Sequence, residues 1–217
     1  MNDIALLVIA QNIEKKVVER FCNFANKSKD KHDFDIVIDY GGGDVFSKSK
    51  LLNNNIKRLV ESYKYIVQTD IDLIIPFGLV DKSLQVLSNW DNPFIAHCVL
   101  RYIKEDAILG KEYEEFPWET WKSQDHTYCS GCWNMANSRT WKRSGGWNPE
   151  MFGWGAEDTE FRERSRRRGV NWRNIYDYPL VHIHHEPRSP KRGEENSKLA
   201  DKFDKKEDFL FGPNAKD

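Results

Sequence analysis

Asp70-Ile71-Asp72 stands directly after the apolar segment Tyr65–Gln68. Two carboxylates two residues apart at a strand end point the same way and can share a hard cation with a diphosphate. Such a pair is common by chance and also reads as a strand-end turn, so its context must carry it. A second group, Gly145–Phe161 (GGWNPEMFGWGAEDTEF), sets tryptophans among glycines and then opens a helix with Glu157 and Asp158. Glycines let backbone pass close to a ligand, and an indole can lie flat against it. The plain reading of Glu157 and Asp158 is helix capping, since a helix amino end favours negative charge. The third group is Val181-His182-Ile183-His184-His185. His182 and His184 share one face of a strand, and imidazole suits Mn²⁺ or Zn²⁺ better than Mg²⁺. Asp72 with one or two of these histidines makes a metal site with positions left for diphosphate oxygens. Cys129 and Cys132 form a lone C-x-x-C with no second pair to complete a zinc site, and burial is the preferred reading.

These groups need a scaffold, and the first half of the chain describes one. Ile4–Ile9 is a continuous apolar run, as expected of a strand covered on both faces. Glu14–Asn26 has helical spacing, Phe34–Ile38 is a second strand closed at Tyr40-Gly41-Gly42-Gly43, Lys48–Tyr63 is a second helix, and Tyr65–Gln68 a third strand. Alternating strands and helices predict an α/β fold with a mostly parallel sheet, whose ligands bind beyond the strands' carboxyl ends. Asp39, Asp70 and Asp72 all fall there. Further on, Val80–Leu87 and Asp158–Arg168 read as helices, and Phe94–Leu100 and Pro179–His184 as strands. Glu105–Gln124 reads as a loop able to move, and the five arginines Arg162, Arg164, Arg166, Arg167 and Arg168 as a basic helix face. Seven of eight tryptophans lie from Trp118 to Trp172, which makes the second half a candidate acceptor wall; core packing accounts for about half of them.

The 217 residues suit one domain, here 1–188, with a donor half of about 1–100, an acceptor half of about 101–188 and a charged tail over 189–217. A net charge of −1 argues against nucleic-acid binding through bulk charge. No apolar run is long enough to span a membrane, and Asp3 stands where a signal peptide carries positive charge, so the expectation is a soluble, cytoplasmic chain.

The motifs together resemble GT-A fold (Rossmann-like) glycosyltransferases, most closely the beta-1,4-galactosyltransferases and bacterial polysaccharide glycosyltransferases with the galactosyltransferase-type C-terminal region. Phe46–Asn53 (FSKSKLLN) is similar to the family's F-N-R-A-K-L-L-N, and Thr69–Pro76 to its S-D-V-D-L-I-P. Tyr128–Gly131 resembles Y-F-G-G, Gly153–Asp158 resembles W-G-W-G-G-E-D, and His182–His185 falls where the family places its metal histidine. The likeness runs in order from about Ile4 to Arg188. It implies Asp158 as catalytic base; Gln11, Asp39, Phe46, Lys48, Asp70, Gly131, Trp154 and Glu157 as substrate contacts; and Asp72, His182 and His184 as metal ligands, with His185 the alternative second histidine. Asp39 would contact the base, Asp70 the ribose, and Glu157 with Trp154 the acceptor or donor sugar. Three positions depart from the pattern: Ser47 for asparagine, Lys48 for arginine, which loses the bidentate fork, and Ala156 for glycine.

The resemblance implies an inverting, metal-dependent transfer from a nucleoside-diphosphate sugar, expected to be a UDP-sugar, with Mn²⁺ or alternatively Mg²⁺. The related polypeptide N-acetylgalactosaminyltransferases retain configuration and carry asparagine after the glutamate, where this chain has Asp158. Acceptors open to it are a polysaccharide, lipid-linked or protein glycan, with a modified nucleic acid also left open. Two other classes compete. A metal-dependent nucleotidyltransferase would show a Gly-rich basic loop after the first strand, where this chain has Gln11-Asn12-Ile13-Glu14. A non-catalytic sugar-binding module would need no acid pair beside its aromatic wall.

Overall fold

A computed structural model describes residues 2–42, 47–97, 99–122, 127–128, 131–151, 155–178, 180–184, 193–200 and 209–210. Its first half is strand, helix, strand, helix, strand: β1 (Ile4–Ile9), α1 (Lys15–Lys27), β2 (Asp35–Asp39), α2 (Lys48–Leu59) and β3 (Tyr65–Thr69). There follow β4 (Leu73–Ile74), α3 (Leu79–Leu87), β5 (Pro93–His97), β6 (Val99–Ile103), α4 (Trp118–Lys122), β7 (Thr127–Tyr128), β8 (Trp133–Asn137) and α5 (Ser138–Ser144). The chain continues through α6 (Glu157–Arg167), β9 (Asn171–Ile175), β10 (Leu180–Ile183) and α7 (Gly193–Ala200).

The main sheet runs β2-β1-β3-β8-β5-β9, with β1, β2 and β3 parallel and β8 antiparallel to both its neighbours. A smaller sheet, β4-β10-β6-β7, stands beside it. Strand β1 shows why the main sheet is buried on both faces. Ile4, Leu6 and Val8 join Val17, Val18 and Phe21 of α1 and Leu79 and Val80 of α3, while Ala5 and Leu7 join Leu52 and Ile56 of α2 and Trp141 of α5. A period of two with apolar residues at every step yields two cores, not one.

The structure corrects several sequence expectations. Phe94–Leu100 is not one strand: it divides between the two sheets as β5 and β6. The 105–124 stretch is not a bare loop, because Ile108, Tyr113 and Phe116 are buried with Phe24, Ile74 and Val181 in a third core beneath the small sheet. Core packing wins for Trp133, Trp141, Trp147 and Trp172, all buried. Trp147 stacks on Phe161 with ring centroids 4.2 Å apart. Arg164 leaves the supposed basic face: it is buried, with Nε donating to Glu160 Oε1 at 2.6 Å and Nη2 to the Gly146 carbonyl. The charged C-terminal stretch is not wholly solvated, since Leu210 is buried in the core of α2, α5 and α6. Cys132 is buried, while Cys129 lies outside the described residues. Among the described residues, no helix is long and apolar enough to cross a membrane.

Candidate functional site

The parallel register brings the carboxyl ends of β1, β2 and β3 to one edge, and with them Gln11, Asp39 and Asp70. Strand β8 runs the other way, with Trp133 opposite Thr69, so its amino end and Gly131 reach that same edge. There the ionisable groups gather. Lys48, at the start of α2, places Nζ 2.8 Å from Asp70 Oδ1. Burial works to lower the Lys48 pKa, but the charges of Asp70, Asp158 and Glu157 outweigh it and hold the ammonium well above its usual value. Burial pushes Asp70 up to about 6, with Asp72 and Asp158 adding to the rise and Lys48 opposing it. Glu157 is likewise raised, by burial first and by Asp158 second. Asp70, Asp158 and Glu157 thus act on Lys48, while Asp72 and Asp158 act on Asp70.

Asp158 sits at the second position of α6, whose cap is Ala156. Its Oδ1 accepts the Trp147 indole N–H at 3.3 Å. Trp147 is itself clamped by α2: Asn53 Nδ2 donates to its carbonyl at 2.7 Å, and its N–H donates to Asn53 Oδ1 at 2.9 Å. Glu157 Oε2 accepts the Gly155 N–H at 2.7 Å. The cap residue itself, Ala156, offers no side-chain hydrogen bond, while Glu157 and Asp158 stand in the first turn, where the helix amino end favours their charge, and Glu157 also accepts a backbone N–H there. Gly131 lies hard against Asp158: a Cβ there would be 1.7 Å from Oδ2.

Asp72, buried at the start of the small sheet, places Oδ1 3.6 Å from His182 Nε2. The pairing of β4 with β10, with the Ile183 N–H donating to the Asp72 carbonyl at 2.9 Å, fixes this approach. Two oxygen or nitrogen ligands about 2.1 Å from one cation lie about 3.0–3.4 Å apart at octahedral to tetrahedral corners, so this pair stands a few tenths of an ångström wider than adjacent ligands of one first-row metal ion. A carboxylate with an imidazole has the mixed character that Mn²⁺ accepts. His184 is exposed, and its N–H donates to the Ile103 carbonyl at 2.7 Å. Among the described residues, no three His, Cys, Asp or Glu side chains gather as a cluster, so His184 does not complete a triad with Asp72 and His182. Its alternative, His185, lies outside the described residues, as do Phe46 and Trp154.

Both Asp39 carboxylate oxygens bond within the protein, Oδ1 to the Gly41 N–H at 2.8 Å and Oδ2 to Asn55 Nδ2. Gly41 adopts φ +63° and passes so near Gln11 that a Cβ would meet that side chain at 3.0 Å. Sequence reasoning passed over Asn53 and Trp147, which aim and hold Asp158. The available signal was Asn53 within the apolar spacing of α2, a polar residue that must find a buried partner.

Residues 116–186 match the sequence model described as the N-terminal domain of galactosyltransferase, a span that holds Gly131, Trp147, Glu157, Asp158 and His182. No curated protein matches the chain. Among solved structures, a mutant Drosophila β1,4-galactosyltransferase 7 in complex with manganese, UDP-Gal and xylobiose is 16% identical with a TM-score of 0.61, over 93% of this chain and 80% of the other. The catalytic domain of the same Drosophila enzyme with xylobiose is 18% identical with a TM-score of 0.58, over 94% and 81%. GalNAc-T7 with UDP, GalNAc and Mn²⁺ is 12% identical with a TM-score of 0.61, over 93% of this chain and 48% of the other. The chain therefore has the fold of GT-A glycosyltransferases and is galactosyltransferase-like across its matched span.

Proposed function

We propose that this protein is a metal-dependent, inverting glycosyltransferase that moves a sugar from a UDP-sugar to the hydroxyl of a glycan acceptor. The convergence of Asp70, Glu157 and Asp158 on Lys48, at the ligand-binding edge of a parallel sheet, carries the reading. The galactosyltransferase-like span and the UDP-sugar and manganese held by structures of the same fold support it.

In this reading Asp72 and His182 would hold a divalent cation, with His185, the alternative second histidine, as a further ligand. The bound cation supplies charge that offsets the leaving diphosphate. The residues fit this role through their donor set, a carboxylate oxygen beside an imidazole nitrogen. Asp158 accepts the acceptor hydroxyl's proton as that oxygen attacks the anomeric carbon. The new carbon–oxygen bond forms on the face opposite the breaking bond to diphosphate, and UDP departs with that bond's electrons. The Trp147 N–H on Oδ1 leaves Oδ2 as the oxygen facing the Gly131 wall. Glu157 and Trp154 hold the acceptor or donor sugar, and Asp70 the ribose. Asp39, with Gln11 and Phe46, receives the base. Lys48 stands close enough to Asp70 to meet a phosphate as a point charge in place of the family's arginine fork.

The test is incubation with a panel of UDP-sugars, Mn²⁺ and glycan acceptors, beginning with xylobiose. Released UDP and product configuration are read by NMR. Acceptor-dependent release with inversion is expected. Nucleotidyl transfer, retained configuration, or sugar binding without release would each replace this reading.

A further inference from the structure

The C-terminal segment returns to the turn that leads into α6. Asn196 of α7 is 1% exposed, and its Nδ2 donates to the Gly155 carbonyl at 2.8 Å. The N–H of the same Gly155 donates to Glu157 Oε2. This two-residue approach to α6 is strained at Ala156, an L-residue at φ +68°, while Gly155 takes φ +116° as only glycine does freely. A strained turn keeps its direction only when its surroundings hold it. Farther along, the Phe209 N–H donates to the Gly145 carbonyl at 2.7 Å, and Leu210 packs over Gly146. The segment thus grips both ends of the 145–155 stretch.

We propose that Asn196 is a positioning residue for the transfer. By holding the Gly155 carbonyl it fixes the peptide plane between Gly155 and Ala156, and so the turn into α6 from which the Gly155 N–H meets the Glu157 carboxylate beside Asp158 and Lys48. The functional part rests on the reading of Glu157 as a substrate-holding group. The alternative is an asparagine that only anchors α7.

Hydrogen exchange of the 155–158 amides in the unliganded chain tests the relay. UDP release from UDP-galactose with Mn²⁺ and xylobiose, in N196A, E157Q and the double variant, tests its consequence. Asn196→Ala should speed exchange on the order of tenfold and cut turnover about fivefold or more, as expected for loss of a buried hydrogen bond. The double variant should be no slower than E157Q alone. Asn196→Asp, which keeps the shape but cannot donate when ionised, repeats the test should alanine unfold the chain. Unchanged exchange overturns the relay. An equal loss from N196A with and without the Glu157 change overturns the positioning role. An E157Q enzyme at wild-type turnover, or an inert wild type, counts against the proposed function while the exchange result still judges the relay.

Discussion

Gly131 and Asp158 are packed so closely that no side chain fits between them: a methyl on Gly131 would stand 1.7 Å from Asp158 Oδ2 and 2.2 Å from its carboxyl carbon. The glycine is the wall against which the carboxylate is set. Gly131→Ala should therefore drive Asp158 to another rotamer and reduce transfer by about 10²-fold, the lower end of what a general base contributes. Gly131 has no left-handed φ to lose, so the melting temperature should move much less than the rate. Turnover beside a melting curve checks this. Full activity in G131A would show that the carboxylate's position is not critical.

Ala156 occupies a left-handed conformation that costs an L-residue about 1–2 kcal/mol. Glycine, the residue of the resembling family, is at ease there but gives up about 0.4–1 kcal/mol through the unfolded chain. Ala156→Gly should stabilise the protein by about 0.5–1 kcal/mol, raising the melting temperature by about 1–4 °C. Calorimetry decides the sign, and a lowered melting temperature would show that the turn is not strained.

The strands and helices of the first half were legible because each states its period plainly. Ile4–Ile9 is apolar at every position, and its neighbours α1 and α2 are amphipathic. The second half hid its elements in shared runs. Phe94–Leu100 reads as one strand, yet it divides between two strands that serve two sheets. Trp133 and Met135 alternate with Asn134 in β8, but the polar residue masks a strand that is buried on both faces. The site's residue types were readable from their order along the chain. Their mutual aim was not, because it depends on contacts such as Asn53 with Trp147, 94 residues apart. Asn196 lies in a stretch that reads as a solvated tail, helical over Glu194–Phe209, and nothing in its charge announces a buried asparagine.

Glu157 should leave a mark on the pH dependence of stability. Its carboxyl is raised by burial and then by Asp158, so the folded chain holds this proton more tightly than the unfolded chain does. Such a group favours folding fully below its unfolded value, about 4.3, and loses that contribution as the pH rises through its folded value. Glu157→Gln should remove this part of the decline. Melting temperatures of both proteins from pH 4 to 8 test it; parallel curves would mean that Glu157 does not titrate differently on folding.

The metal assignment separates Asp72 from His182 by charge. Asp72→Ala removes an anionic ligand and should abolish the Mn²⁺-dependent part of UDP binding. His182→Ala removes a neutral one and should weaken it less. Titration calorimetry of UDP with and without Mn²⁺ distinguishes them. Unchanged Mn²⁺ dependence in the Asp72 variant would sink the assignment.

In the proposed transfer Asp158 takes the acceptor's proton. Asparagine keeps the size of the side chain and can still accept the Trp147 N–H, but it cannot take a proton from an acceptor. Asp158→Asn should then lower the transfer rate by about 10²- to 10⁴-fold at saturating donor. UDP affinity and melting temperature should stay close to wild type. Because Ala156 is the cap of α6, there is no side-chain cap at this position to lose, and a purely structural aspartate would leave the rate nearly untouched. Rate and product configuration, read together by NMR, make the result specific. Near-normal transfer in D158N would remove the base from the mechanism, and a product of retained configuration would remove direct displacement.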